Sequence, residues 1–190
     1  MFSYNIDEST KLKMLDLQDA EHLFDLTIQS KATLKEWLPF IDYNKSVADT
    51  QNFIQSTMKQ FGENNGFQAG IWYDGKIAGV IGFHQINWSN KSTSIGYWLG
   101  NDYVGLGLMT KSVKAFVDYA INDLKLNRVE IRAAVENKKS RAIPERLGFM
   151  EEGCVRETEW LYDHYVDHVV YGMLAKDWNN NNLINNMLVE

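Results

Sequence analysis

Two hydrophobic periods alternate along this chain, and they change over at glycines. From Met109 to Leu124, apolar residues recur at helical spacing (Met109, Val113, Phe116, Val117, Ala120, Leu124), with Lys111, Lys114, Asp118 and Lys125 on the opposite side. This is the clearest helix in the sequence, and Asn127 is its expected end. The strand-like run Ser92 to Leu99 precedes it, and Val129, Ile131, Ala133 and Val135 alternate as a strand after it. Strand, helix, strand in that order predicts a right-handed βαβ unit with parallel strands.

Upstream, Thr10, Leu12 and Met14 alternate with Lys11 and Lys13 as a short strand. Asp16 is an N-cap for a helix with the face Ala20, Leu23, Phe24 and Thr27. Pro39 stops helix continuation in a bulky linker. Ser46, with Asp49 three residues on, starts a second helix whose face is Val47, Thr50, Ile54, Met58 and Phe61. Phe67 to Tyr73 and Lys76 to Phe83 flank Asp74-Gly75, a two-residue hairpin link that needs positive φ twice. Downstream, Asn137 through Leu147 reads as a short helix closed by Gly148, and Met150–Leu161 and Tyr165–Leu174 are the last strands. The expected fold is one α/β domain over residues 1–176, a mixed, strongly twisted seven-strand sheet flanked by four helices. Residues 177–190 form a tail in which Leu183, Ile184, Met187 and Leu188 keep helix-like spacing.

Composition narrows the function. The length of 190 residues suits one domain, and the net charge of −6 comes without any Lys/Arg-rich block, which argues against nucleic-acid binding. The single cysteine, Cys154, excludes an internal disulfide and reads as a small buried hydrophobe. His22, His84, His164 and His168 are too scattered for a zinc site, so no metal is expected; His164 and His168 alternate on one strand face as structural residues. The N-terminus has no basic-then-apolar leader and no apolar run approaches bilayer length, so the expectation is a cytoplasmic protein with no membrane partner. The aromatic C-terminal strands and apolar tail raise the expectation of a homodimer.

Chemistry enters at Tyr103-Val104-Gly105-Leu106-Gly107-Leu108-Met109-Thr110, where a strand hands over to the strongest helix. Such a junction aims free backbone N–H groups, backed by the helix dipole, at one spot that suits a phosphate or diphosphate. An inert turn has the same glycines, so this segment alone leaves both readings open.

Other segments join it. Leu34-x-x-Trp37-Leu38-Pro39, Ile95-Gly96-Tyr97-Trp98, Gly105-x-Gly107-x-Met109-Thr110, Asn137-x-x-Ser140-Arg141-Ala142 and Arg146-Leu147-Gly148-Phe149-x-x-Glu152-Gly153 follow one another over almost the whole chain. Together they resemble the GNAT superfamily of acetyl-CoA-dependent N-acetyltransferases, and within it the branch acting on the N-terminal serine or alanine of ribosomal proteins. The resemblance implies acetyl-CoA as cosubstrate and a primary amine as acceptor. The acceptor is then a protein N-terminus or, alternatively, a small amine such as a polyamine or aminoglycoside; a non-catalytic acyl-CoA-binding module is the rival from another class.

The resemblance also implies roles. Gly105, Leu106, Gly107 and Leu108 would offer N–H groups to the diphosphate, with Met109 and Thr110 completing that motif. Ser92–Leu99 and Arg128–Val135 would splay, leaving the edge at Trp98, Leu99 and Gly100 to pair with pantetheine, whose amides Asn137 would also bond. Glu159 would be the general base, with Glu157 competing for the role. Ser140 would serve the departing sulfur, because Pro144 stands where many relatives carry a tyrosine. Trp37 and Phe40 would line the acceptor side. Two departures concern the glycine loop: Asp102 stands where the common family pattern has Gln or Arg, and Leu106 where a basic residue is frequent, so affinity for CoA would rest on backbone donors, with Lys111 or Arg141 adding charge.

Overall fold

The computed structural model describes residues 3–180. Its centre is one eight-stranded sheet: β1 (Ser3–Asn5), β2 (Thr10–Met14), β3 (Gln68–Tyr73), β4 (Lys76–Asn87), β5 (Ser92–Leu99), β6 (Arg128–Ala134), β7 (Met150–Leu161) and β8 (His164–Leu174). The order across the sheet is β1-β2-β3-β4-β5-β6-β8-β7. Every neighbouring pair is antiparallel except β5 and β6, which run parallel as a βαβ crossover requires. The strand beyond the expected seven is β1; all three of its side chains are exposed, so no burial pattern marks it in the sequence.

The helices are α1 (Ala20–Gln29), α2 (Lys31–Leu34), α3 (Val47–Gly62), α4 (Leu108–Asp118), α5 (Lys138–Arg146) and a helical stretch at 175–180. The two beyond the expected four are the single turn α2 and this last stretch. Trp178 within it is buried, and its indole N–H donates to Asp118 Oδ1 at 2.7 Å. Leu183, Ile184, Met187 and Leu188 lie outside the described residues.

Local signals explain most boundaries. Asp16 caps a 3-10 turn, Leu17–Asp19, which feeds α1, and Asp19 closes a reciprocal capping box. Ser46 caps α3 by accepting the Asp49 N–H. Asp74 and Gly75 both take positive φ, 47° and 76°, as the two-residue hairpin demands. Three expectations change. The buried face of α3 is Thr50, Ile54 and Thr57, while Met58 and Phe61 are exposed; the last turn is held to β4 by Gln60, whose amide donates to Phe83 O and His84 O, and Phe61 meets Phe67 only edge-on. The α4 region closes through a π turn at Tyr119–Asp123 and a positive φ at Lys125, ahead of Asn127, whose own N–H donates to Lys91 O. Cys154 is exposed rather than buried, because β7 is an edge strand with solvent on both sides.

The sheet separates two apolar layers. On one face α4 and α5 pack on Phe83, Ile95, Val129 and Ile131, with the rings of Phe67, Phe83 and Phe116 mutually within 4.9–5.6 Å. On the other, α1 and α3 bury Leu15, Leu23, Ile54 and Val80. Val113, Phe116 and Val117 are essentially inaccessible, each contributing roughly 1.5–3 kcal/mol of burial. That burial fixes the start of α4 against the end of β5, where the candidate chemistry lies.

Candidate active site

A fork opens between β5 and β6. Their pairing covers Ser92–Arg128, Thr93–Val129 and Ser94–Glu130 and stops there. Beyond it β5 stays with β4 through Leu99, while β6 stays with β8 through Ala134. Ile95–Leu99 therefore has no partner on the β6 side. Of the three residues expected at that edge, Gly100 turns its N–H to Ala78 O on the β4 side at 2.8 Å. Strand alternation then gives Trp98 the same direction and leaves the backbone groups of Leu99 and Tyr97 facing the gap. The Trp98 side chain packs into the α1/α3 layer.

The glycine loop sits at the mouth of this fork. Gly105 and Gly107 have φ of 87° and 75°, and a Cβ added to either would meet nothing within 4 Å. Gly107 is the N-cap of α4 and has no side chain to cap it, so the first-turn N–H groups of Leu108, Met109 and Thr110 stay open to an outside acceptor. Open space, positive φ and a free helix start form a cradle that fits an anionic group. Leu106 stands exposed beside it.

Asn137 and Ser140 come together at the start of α5. Asn137 is the N-cap, and its Oδ1 accepts the Ser140 N–H at 3.1 Å. Its amide NH2 is the part left to bond a ligand. Tyr97 reaches Ser140 across the fork: its hydroxyl donates to Ser140 O at 3.1 Å and accepts from Ser140 Oγ at 3.4 Å. Burial pushes the Tyr97 phenol up to about 12, so it is a proton-bearing donor at neutral pH.

The two cations expected to supply charge are both engaged elsewhere. Lys111 pairs with Asp7 at 2.8 Å, and that pairing holds the Asp7 carboxyl well below the usual carboxylate range. Arg141 donates to Tyr171 Oη and to Val135 O, each at 2.9 Å, and so ties α5 to the ends of β6 and β8. A third cation is bonded to the first turn of α4: Arg146 Nη1 donates to Thr110 Oγ1 at 2.8 Å.

On the opposite sheet face, Glu159 meets His168, with Oε2 and Nε2 3.0 Å apart. They are neighbours because β7 takes two extra residues between Val155 and Glu159, four positions against two on β8, so that Glu159 lies opposite Val166, beside His168 on the same face. Glu157 lies inside that bulge with φ of 48°, and its N–H donates to Asp167 Oδ1. The structure therefore gives the two carboxylates different settings: Glu159 is half-buried against an imidazole, and Glu157 is exposed. Above them, Tyr162 at the β7–β8 tip donates to Leu38 O at 3.2 Å, and Lys35 sits 5.0 Å over the Tyr162 ring. These contacts tie the linker carrying Trp37 and Phe40 to the β7–β8 tip, and Phe40 remains exposed.

A model of the acetyltransferase (GNAT) domain matches residues 10–150. The chain belongs to the GNAT acetyltransferase family. It is similar to a putative ribosomal N-acetyltransferase of Bacillus subtilis, 39% identical over 180 residues, covering 94% of this chain and 98% of that protein. Among solved structures it resembles the ribosomal L7/L12 α-N-protein acetyltransferase RimL in complex with coenzyme A, with TM-score 0.89, 26% identity, and 93% and 99% of the two chains covered. It also resembles the microcin C7 self-immunity acetyltransferase in complex with acetyl-CoA and AMP, with TM-score 0.85, 29% identity, and 89% and 94% covered. As a GNAT N-acetyltransferase, the protein has its fork, glycine loop and α5 inside the matched segment. Glu157, Glu159 and His168 lie beyond it. The sequence signals for Tyr97, His168 and Arg146 are weak: Tyr97 reads as packing, His168 as a structural strand residue, and Arg146 as one letter of a motif. Only the strand pairing and the approach of α5 to α4 bring them to the site.

Proposed function

We propose that the protein transfers acetyl from acetyl-CoA to the α-amino group of a protein N-terminus, with ribosomal proteins as the acceptor class. The observation that carries the proposal is the fork: backbone groups at Leu99 face an unpaired gap that ends at an open, cation-flanked glycine cradle. An amide-rich arm can add to such an edge as a strand would. Acetyl-CoA, when bound, supplies an activated acetyl thioester.

The remaining work falls to the protein. An α-amino group has a pKa of roughly 8 and attacks only when neutral. Glu159 takes or relays its proton, held in place by His168. The N–C bond forms as the C–S bond breaks, and a backbone N–H at Leu99 stabilises charge on the acetyl oxygen. Tyr97 keeps its bond to the Ser140 carbonyl, and the Ser140 hydroxyl turns its one proton from Tyr97 to the departing sulfur. A serine hydroxyl is a weak acid, so its contribution is to stabilise the thiolate. Asn137 orients the arm with its amide, and Trp37 and Phe40 line the acceptor entrance.

Support for a large acceptor comes from the β6-β8-β7 end of the sheet, where β7 is exposed along almost its whole length. Likeness to ribosomal N-acetyltransferases points the same way. A small amine is the second reading, favoured by the likeness of part of the chain to a spermidine N(1)-acetyltransferase of Vibrio cholerae, 26% identical over 91 residues, 48% of this chain and 53% of that protein. The test is CoA release with acetyl-CoA against ribosomal-protein N-terminal peptides, polyamines and aminoglycosides, followed by peptide mass and site mapping. Modification of the α-amino group supports the proposal; turnover with small amines alone replaces it with the second reading.

A further inference from the structure

We infer that Arg146 is the cation that reads the diphosphate of coenzyme A in this chain. The inference rests on the cofactor reading above.

A diphosphate over the α4 N-terminus meets backbone N–H groups, which fix geometry but carry no full charge. The loop between β5 and α4 contains no Lys or Arg, and Leu106 between its glycines is apolar and exposed. Asp102 is an anion in the short turn Asn101–Tyr103 just before the cradle, so the loop itself contributes the wrong sign. Lys111, one turn into α4, is held by Asp7. Arg141 is committed to Tyr171 and Val135.

Arg146 differs in each respect. It is exposed at the end of α5, and among the described residues it has no ion pair with a carboxylate. Its Nη1 donates to Thr110 Oγ1 at 2.8 Å, and Thr110 is the third residue of α4. One bond to a hydroxyl engages one of five guanidinium N–H donors. The others remain for an anion at the same helix start, and the planar fork suits phosphate oxygens. Thr110 thus acts as a bracket that holds the guanidinium beside the cradle before any ligand arrives, which lowers the ordering cost of binding.

The diphosphate is distinguished from the 3′-phosphate by ligand choice. Calorimetry on the parent and Arg146→Gln would measure affinity for CoA, dephospho-CoA and acetyl-pantetheine, which lacks both phosphate groups. The expected result is a loss of roughly ten- to a hundredfold for CoA and for dephospho-CoA alike, with acetyl-pantetheine unchanged. The salt dependence of CoA binding should also flatten in the variant. Arg146→Lys should recover part of the affinity by restoring charge without the fork. A loss for CoA with none for dephospho-CoA would assign Arg146 to the 3′-phosphate and overturn the inference. Equal affinity of parent and variant for all three ligands, or an equal loss for all three, would overturn it too. A parent that binds none of the three would instead overturn the cofactor reading itself.

Discussion

The Tyr97 hydroxyl bridges the open end of the fork and holds Ser140 at two atoms, its carbonyl at 3.1 Å and its Oγ at 3.4 Å. Tyr97 is on the strand that leaves β6, and Ser140 is on the helix that follows β6. One side chain therefore ties together the two arms that backbone pairing has released. Tyr97→Phe should cost about 1 kcal/mol, a melting decrease of roughly 2–4 °C. It should lower kcat severalfold with little change in KM for acetyl-CoA, because Ser140 loses its orienting partner. Steady-state kinetics and thermal melts check both effects.

Tyr97 also has a pH consequence. Its folded-state pKa of about 12 lies above the ordinary 10. Its contribution is complete below pH 10 and is lost as pH rises from 10 towards 12, because the unfolded phenol ionises first. Parent and Tyr97→Phe melting temperatures should converge over that window, which alkaline melts measure.

Glu159 and His168 make a proton-handling pair 3.0 Å apart. Glu159→Gln should reduce kcat/KM by roughly 10²–10⁴ at neutral pH while leaving CoA affinity intact. His168→Ala should fall between that variant and the parent, and His168→Gln, which can still donate to the carboxylate, should do better than His168→Ala. Comparable rates for Glu159→Gln and Glu157→Gln would remove the distinction drawn from the bulge.

Gly107→Ala separates backbone strain from cofactor contact. With φ of 75° and open space around the added Cβ, the change should cost about 1–2 kcal/mol by conformation alone. The methyl group also enters the cradle, so CoA affinity should fall further than the loss in stability explains. Parallel calorimetry and melts give the two numbers.

An acid-sensitive clamp lies at the base of the fork. Arg128 holds Glu152 on β7 with both terminal nitrogens and also bonds Glu130, and its guanidinium keeps the Glu152 carboxyl below the usual range. A depressed carboxylate pKa adds stability above the unfolded value and loses it as pH falls through the folded one. Glu152→Gln should therefore lower stability by about 0.5–1 kcal/mol at pH 7, a small figure because the pair is partly solvated. Parent and variant melts should converge as the pH drops below the ordinary carboxylate range.

Much of this arrangement can be read from the chain because local chemistry dictates it. Asp74-Gly75 forces a hairpin, Asn137 accepts from Ser140 as a cap at that spacing must, and the α4 stripe buries itself. What escapes a linear reading depends on contacts between distant segments. β1 has no buried side chain to mark it. Lys111 looks free until the turn carrying Asp7 folds against it. The closeness of Glu159 to His168 depends on a bulge that shifts the strand register, and Arg146 finds Thr110 across 36 positions of chain.

The most direct test of the central claim is a crystal structure of the protein with coenzyme A bound. The account predicts the pantetheine arm beside Leu99 between β5 and β6, with the diphosphate over Gly105–Leu108. A cofactor lying outside the fork, or a diphosphate away from the start of α4, would contradict it.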